Sequence, residues 1–421
     1  MNDIVVVGGG PAGASAAFQL ARRGVRVRMV ERAKFPRAKP CAECLSPQAS
    51  RLLHDMGVLA RLEARGARLR GMIVRAPSGV TALGDYAASH GFRGFRDRGL
   101  AIRREILDDA LLDSARGAGV EVEERVKVAD VLRDGAGRVV GVATRDADNR
   151  RRDLHAAIVV GADGLRSVVA RRLGLTRMAA WPRRIALVAH FRGVAEVSEY
   201  VELHVERDGF VGIADVGDGV TTVAAVFPAH RAREIAADRA AFLQRWLMAR
   251  PQLAGRFAAA DREHVPVAVG PFASHARRAW HPGAVLVGDA ADFFDPFTGE
   301  GIYSALRGGE LVADSVVAAL GAAGSRAMDD ACAGYDAART REFSGKWRVE
   351  RLIGLGVALS PVVNRAARAL AAHKHLADLL AGVTGDFVPA RKVLRPGFLA
   401  QLFLKPLPAA APIASSTPAW P

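Results

Sequence analysis

Three groups of residues in this chain have the types and spacing to hold a phosphate-bearing ligand. The first is Gly8-x-Gly10-x-x-Gly13, directly after the apolar run Ile4–Val7, with Glu31 eighteen residues beyond its last glycine. Glycines at these positions let backbone approach a pyrophosphate at the positive end of a helix. An acid at the end of the following strand is placed to accept hydrogen bonds from a ribose. The second group is Val159-Val160-Gly161-Ala162-Asp163-Gly164, continuing to Arg166-Ser167. The third is Val287-Gly288-Asp289-Ala290-Ala291, continuing through Asp295-Pro296-Phe297-Thr298-Gly299-Glu300-Gly301-Ile302. In each of these two, an apolar strand ends in an Asp that can reach a ligand at the carboxyl edge of a sheet.

With its motifs in this order, the chain resembles the flavoprotein monooxygenase superfamily of the p-hydroxybenzoate hydroxylase type, and within it the geranylgeranyl-reductase-like branch. The resemblance covers residues 2–175 and 270–345 well and the middle of the chain loosely. It implies that the three motifs together bind FAD. Gly8, Gly10, Ala12, Gly13 and Glu31 match the ADP end, with Arg32 and Val126 assigned beside them. Arg104, in Arg104-x-x-Leu107-Asp108, matches an arginine that contacts FAD. Asp163 and Gly164 match the second motif. Gly288, Asp289, Pro296, Gly299, Gly301 and Ile302 match the third, where Asp289 suits a ribityl hydroxyl and the Gly299–Gly301 helix start suits negative charge on a reduced flavin. Cys41, in Lys39-Pro40-Cys41-Ala42-Glu43-Cys44, matches a cysteine that lies near the flavin in that branch; it and Pro296 are the candidate catalytic residues. The chain departs from the pattern at several points. Ala170 stands where an arginine is usual. Asp292 and Tyr303 stand where many hydroxylases carry His and Asn. Ala42 and Cys44 replace glycines.

Other chemistry is weakly represented. Cys41-x-x-Cys44 has the spacing of a redox dithiol or of buried thiols. No second ligand pair accompanies it for zinc, so no metal site is expected. His190, His204 and His230 fall at or near strands and read as sheet residues, and Tyr303 reads as packing. No Gly-x-Ser-x-Gly elbow is present. Trp-x-Trp-x-Ile-Pro is missing, which disfavours a halogenase. So is the aromatic Tyr-x-Trp-x-Phe-Pro signature of prenyl reductases, whose place is taken by Gly209-Phe210-Val211-Gly212-Ile213-Ala214. Only one dinucleotide fingerprint occurs, so NAD(P)H is expected as a transient reductant without a domain of its own. These features lean toward a monooxygenase acting on a hydrophobic aromatic or polyketide-like molecule. The alternatives are a flavin reductase of isoprenoid or other alkene double bonds, and an electron-transfer flavoprotein without oxygen chemistry.

The elements that must position these residues follow from periodicity. A βαβ opening is predicted from Ile4–Val7, a helix from Pro11 to Arg23 capped by Gly24, and Val25–Val30. Further helices are expected over Ser46–Met56, Arg104–Arg116 and Ala232–Ala249. Strands are expected over Leu100–Ile102, Val120–Val126, Val139–Thr144 and Ala157–Val160. Ile185–Phe191, Tyr200–Val205, Phe210–Val216 and Val220–Phe227 read as a mostly antiparallel sheet walling a substrate pocket. The fold class is therefore α/β, α+β overall: a Rossmann-like FAD-binding domain with a parallel sheet, an interleaved antiparallel substrate domain and a C-terminal helical region. The FAD-binding domain is discontinuous (1–70, 100–180 and 270–345). The substrate domain takes 71–99 and 181–269, the C-terminal helices 346–405, and 406–421 is a Pro/Ala/Ser tail read as disordered.

The 421 residues carry 59 Lys and Arg against 44 Asp and Glu, a formal +15. No helix-turn-helix, zinc-finger or RNP pattern accompanies that charge, so a nucleic-acid partner is not expected. The arginine excess reads as compositional bias. No apolar stretch approaches the roughly 20 residues needed to span a bilayer, and the N-terminus reads as a buried strand rather than a signal peptide. A cytoplasmic location follows. A peripheral membrane contact is considered for the C-terminal region, with Phe398, Leu399, Leu402 and Phe403 entering lipid. The alternative, packing of that helix over the substrate pocket, is favoured.

Overall fold

The computed structural model describes residues 3–88 and 90–406. Ile4–Val7 is buried along its whole length because neighbours flank it on both sides. It pairs in parallel with Val27–Glu31 and with Ile158–Gly161, with Ile4 opposite both Val27 and Ile158. The sheet extends to Glu121–Glu124 on one side. On the other it runs through Ala284–Leu286 to an antiparallel edge at Trp280–His281. All the interior strands point the same way, so their carboxyl ends share one edge, where ligands of such sheets collect.

The helix Pro11–Ala21 buries Ala14, Ala16, Ala17 and Leu20 and lies against the helix Gly301–Leu320. A side chain at Gly309 would come within 2.6 Å of the Ala16 nitrogen, so the two helices pack backbone to backbone. Gly24 closes the first helix in a left-handed conformation, φ +80°.

The second sheet has eight strands. In order they are Asp261–Arg262, Arg184–Arg192, Val220–Pro228, Gly209–Asp215, Tyr200–Glu206, Gly71–Arg75 and Thr81–Asp85, with Val267–Val269 also pairing with Arg184–Arg192. It is antiparallel except for the parallel pair Tyr200–Glu206 with Gly71–Arg75. The period-2 alternation of strands separates its faces. Leu187, Ala189, Phe191, Val223, Ala225 and Phe227 pack under the helices Arg239–Met248 and Pro251–Phe257. Ala186, Val188, Thr222, Ala224 and Val226 face the opposite way, into a cavity.

Several predicted bounds are corrected. The helix predicted over 46–56 begins at Ala49 with Gln48 at its N-cap position; Ser46 lies before it, its hydroxyl accepting the Ala49 N–H at 3.1 Å. The helix predicted over 232–249 is two helices, Ala232–Ala237 and Arg239–Met248. Asp238 breaks it by adopting extended backbone and accepting the N–H groups of Ala240 and Ala241. The strand predicted over 120–126 is shorter, Glu121–Glu124. Lys127–Arg133 and Arg151–His155, neither foreseen, pair antiparallel with Val139–Arg145 on either side as a three-stranded sheet. Charged residues on the solvated face masked their alternation.

The helix Ser325–Val357 is continuous through residue 345, the predicted end of the FAD-binding domain. Beyond it, Ser360–Ala372, Lys374–Thr384, Arg391–Leu394 and Pro396–Phe403 gather around Ala82, Val349, Leu370 and Leu376. Phe398 and Leu402 are buried in that cluster, and Leu399 is packed against it, so they are not free to enter lipid; Phe403 and Leu404 are exposed. The last helix covers its helical neighbours rather than the cavity, whose lining in this part of the chain ends at Thr384. Among the described residues no helix is long and apolar enough to cross a membrane. The tail at 407–421 lies outside the described residues.

Candidate functional site

A cavity of about 810 Å³ runs from the carboxyl edge of the parallel sheet to the free face of the eight-stranded sheet. Every residue predicted to hold the cofactor borders it except Gly13. Gly13 acts one step back: a Cβ there would stand 1.9 Å from the Gly8 carbonyl oxygen. Gly8 has φ +103°, and a Cβ on it would meet the Ala162 carbonyl oxygen at 2.6 Å. The turn therefore closes only with glycine at both positions. Gly10 caps the first helix without any side-chain hydrogen bond, leaving its N–H groups turned to the cavity. Glu31 is fixed beside this helix end. Its two carboxylate oxygens accept the Gly9 and Ala33 N–H groups, each at 2.8 Å.

The other two motifs arrive from neighbouring strands. Asp163 accepts the Val168 N–H at 2.6 Å with one oxygen, while the other is buried without a hydrogen-bond partner. Gly288 has φ +62°, and a Cβ there would touch that of Ala12 at 2.8 Å. That contact seats Asp289 at the cavity wall. Burial pushes the Asp289 carboxyl up, with Lys39 and Arg104 pulling it back. Gly299, at φ +70°, and Glu300 lead into Gly301–Leu320, a 20-residue helix that also lacks a side-chain cap at its cavity end.

Arg104 is buried and grips Asp108 through two hydrogen bonds of 2.8 Å; Asp108 also meets Arg37 at 2.9 Å. Cys41 lies beside Arg104. Burial pushes the Cys41 thiol up, the Arg104 charge opposing, and burial raises Cys44 as well. Both are free thiols. They are protonated at neutral pH, which suits a hydrogen-bonding or packing thiol and not a thiolate nucleophile.

The departures from the family pattern have local reasons. Ala170 is in the core, 1% exposed, and the adjacent Arg171 turns back to the Ser167 carbonyl. Asp292 pairs with Arg339, and burial raises its carboxyl to about 6. Tyr303 is outside the cavity lining, its ring under the Lys346 ammonium at 4.5 Å. Sequence reasoning missed the contribution of Ser325–Val357: Phe343, Lys346, Trp347 and Glu350 all border the cavity. No motif in that stretch of the sequence marks which of its residues face the cavity.

The match to known proteins decides the family. Residues 1–341 fit the family model described as FAD binding domain. The chain belongs to that family. It is 32% identical to the menaquinone reductase of Mycolicibacterium smegmatis, over 74% of this chain and 75% of that one. It is 28% identical to digeranylgeranylglycerophospholipid reductase 2 of Methanopyrus kandleri, over 93% and 96%. The structure of the myxobacterial chondrochloren halogenase CndH, an FAD-dependent enzyme, superposes with a TM-score of 0.77 at 26% identity, covering 85% of this chain and 83% of that one. The chain is thus an FAD-dependent oxidoreductase of the hydroxylase-like flavoprotein superfamily.

The residues present fit FAD. An uncapped helix start within a glycine turn suits the pyrophosphate, and Glu31 at the strand end suits the adenosine ribose. The unpartnered Asp163 oxygen and Asp289 offer acceptors along the polyol, and the Gly299–Gly301 helix start lies beyond them. Glu31→Ala is expected to weaken FAD by about 0.5–1.5 kcal/mol, the usual worth of a ribose hydrogen bond. Asp289→Ala should weaken it more, because the site relies on few side-chain acceptors. Titration of the apoproteins with FAD checks both; full occupancy of Asp289→Ala at micromolar protein would remove Asp289 from the site.

Glu350 supplies a pH test of this wall. Burial raises its carboxyl to about 7, the Asp295 N–H opposing. The unfolded chain releases that proton near the ordinary glutamate value, so this group costs stability as pH rises from about 4.5 to about 7. Glu350→Gln keeps an acceptor for the Asp295 N–H. It should match the wild type at pH 4 and exceed it at pH 8 by roughly 1–3 kcal/mol in chemical denaturation.

Proposed function

We propose that this protein is an FAD-dependent reductase that uses NAD(P)H to saturate a carbon–carbon double bond of a lipophilic, isoprenoid-like substrate. The sequence alone leans to monooxygenation. The observation that shifts the balance is the cavity itself, which joins the Cys41 segment to an apolar chamber. Val188, Leu203, Phe210, Val226, Phe272 and Phe297 line that chamber. Its free face is hydrocarbon and aromatic, suited to a chain or ring without charge. The relatives named as reductases of menaquinone and of a digeranylgeranyl lipid, both with polyprenyl chains, support the same reading.

When bound, FAD supplies hydride transfer between NAD(P)H and substrate. The chain does the rest. The glycine turn, Glu31 and Asp289 orient the cofactor, the sheet face excludes water, and the Cys41 thiol, held protonated, contacts the reacting region. Cys41→Ser should keep FAD while lowering turnover or altering the products. Kinetics identical to wild type would make it a packing residue.

The second reading, hydroxylation of a hydrophobic aromatic, is supported by the similarity to PqsL of Pseudomonas aeruginosa, described as a probable FAD-dependent monooxygenase, at 26% identity and a TM-score of 0.69. The two separate by mass. NAD(P)H under argon with a polyprenyl quinone should yield a product that, after reoxidation of any quinol to quinone, is still heavier by two hydrogens, carried in the chain. A product that forms only with oxygen and gains one oxygen atom would establish the second reading.

A further inference from the structure

Glu43 stands at the cavity edge with φ +63°, a left-handed conformation uncommon outside glycine. Its carboxylate is fully engaged. One oxygen accepts the Arg104 backbone N–H at 2.8 Å, and the other lies 2.7 Å from His190 Nε2. His190 is buried in the strand Arg184–Arg192, and its Nδ1 lies 2.8 Å from Nε2 of His264. His264 is exposed. Three side chains thus run in unbroken hydrogen-bond contact from solvent to the cavity wall.

The direction of these bonds follows from one acceptor. His264 Nδ1 lies 3.0 Å from the Val265 carbonyl oxygen, which can only accept, so Nδ1 carries hydrogen. A neutral His264 then accepts at Nε2, and His190 donates from Nδ1. One proton is left for the His190–Glu43 contact, as carboxylic acid beside imidazole or carboxylate beside imidazolium. A proton shared across 2.7 Å beside a cavity is poised for transfer.

We propose that Glu43, His190 and His264 form a proton path from solvent into the cavity. This rests on the reduction proposed above, in which C=C becomes CH–CH. A hydride derived from NAD(P)H goes to one carbon, a proton from water goes to the other, and NAD(P)⁺ is released. Glu43 delivers the proton to the cavity, His190 restores it, and the exposed His264 exchanges it with water. The groups facing this path include the Cys44 thiol, which lies close enough to feel the Glu43 charge. The Cys41 thiol accepts the Glu43 N–H at 3.3 Å, Arg104 follows the backbone contact, and Thr222 lies opposite His190 in the sheet. Near the outlet, Glu263 pairs with Arg103 and Arg192.

Imidazole ¹⁵N NMR of the apoprotein tests the path without turnover. The expected result is hydrogen on His190 Nδ1 and a His190 titration that shifts when His264 is replaced by Phe. Two histidines that titrate independently overturn it. In the holoenzyme, Glu43→Gln keeps the acceptor for Arg104 and should retain FAD, yet lower turnover roughly 10²-fold. His264→Phe should slow turnover and be rescued by added imidazole. Glu43→Gln with bound FAD and wild-type rates across pH overturns the path. Wild-type protein with coupled histidines but no alkene reduction overturns the reaction assigned above and leaves the path supported.

Discussion

Gly13→Ala is expected to abolish FAD retention and to lower the melting temperature of the apoprotein. The added methyl would stand 1.9 Å from the Gly8 carbonyl oxygen and 3.0 Å from its carbon, and both belong to backbone. No rotamer relieves that clash; the helix Pro11–Ala21 must move away from the strand that feeds it. The turn then no longer presents its N–H groups to the cavity. Gly10→Ala is the informative contrast. A Cβ there has only the tip of Arg37 nearby, at 3.6 Å, so the fold should accept it. Its methyl would occupy the path of the pyrophosphate, so FAD should weaken while the apoprotein melts as wild type. Equal FAD affinity in Gly10→Ala and wild type would move the pyrophosphate elsewhere.

Lys346→Met is expected to destabilise the fold by about 3–5 kcal/mol, the scale for breaking a buried ion pair from one side. The Lys346 ammonium lies between two buried carboxylates, 3.4 Å from Glu300 and in closer contact with Asp386. Burial raises both acids, and Lys346 is the main charge pulling them back. Their folded values stand above their unfolded ones, so they cost stability as pH rises through the carboxylate range. Without the lysine that cost grows. The deficit of the variant should therefore be smallest in acid, where both acids are protonated folded or unfolded, and larger at pH 8 than at pH 5. Denaturant midpoints at the two pH values measure this. A deficit equal at both would assign the loss to the contact of the Lys346 side chain with the Tyr303 ring and not to its charge on the two acids.

What the sequence determined by itself was local. Gly8, Gly10 and Gly13 were readable because their role is steric and complete within one turn: where a Cβ would strike neighbouring backbone, or bar a ligand from it, only hydrogen fits. Asp163 and Asp289 were readable because each ends an apolar strand of a parallel sheet, and parallel strands bring their carboxyl ends to one edge. The apolar runs Ile185–Phe191 and Val220–Phe227 announced strands of a buried sheet. Tertiary structure alone decided which face met the cavity. It also brought Glu43 to His190, 147 residues away, and Lys346 to Glu300 and Asp386. His190 read as an ordinary sheet residue, since neither periodicity nor composition records what lies across a packed interface. The break at Asp238 and the strands Lys127–Arg133 and Arg151–His155 escaped for a related reason: a competing cap or a solvated sheet face leaves little hydrophobic period to read. Backbone sterics act over a few residues and are written in order along the chain. Charge pairing across the interior depends on how whole layers are laid together, and that is settled only when they pack.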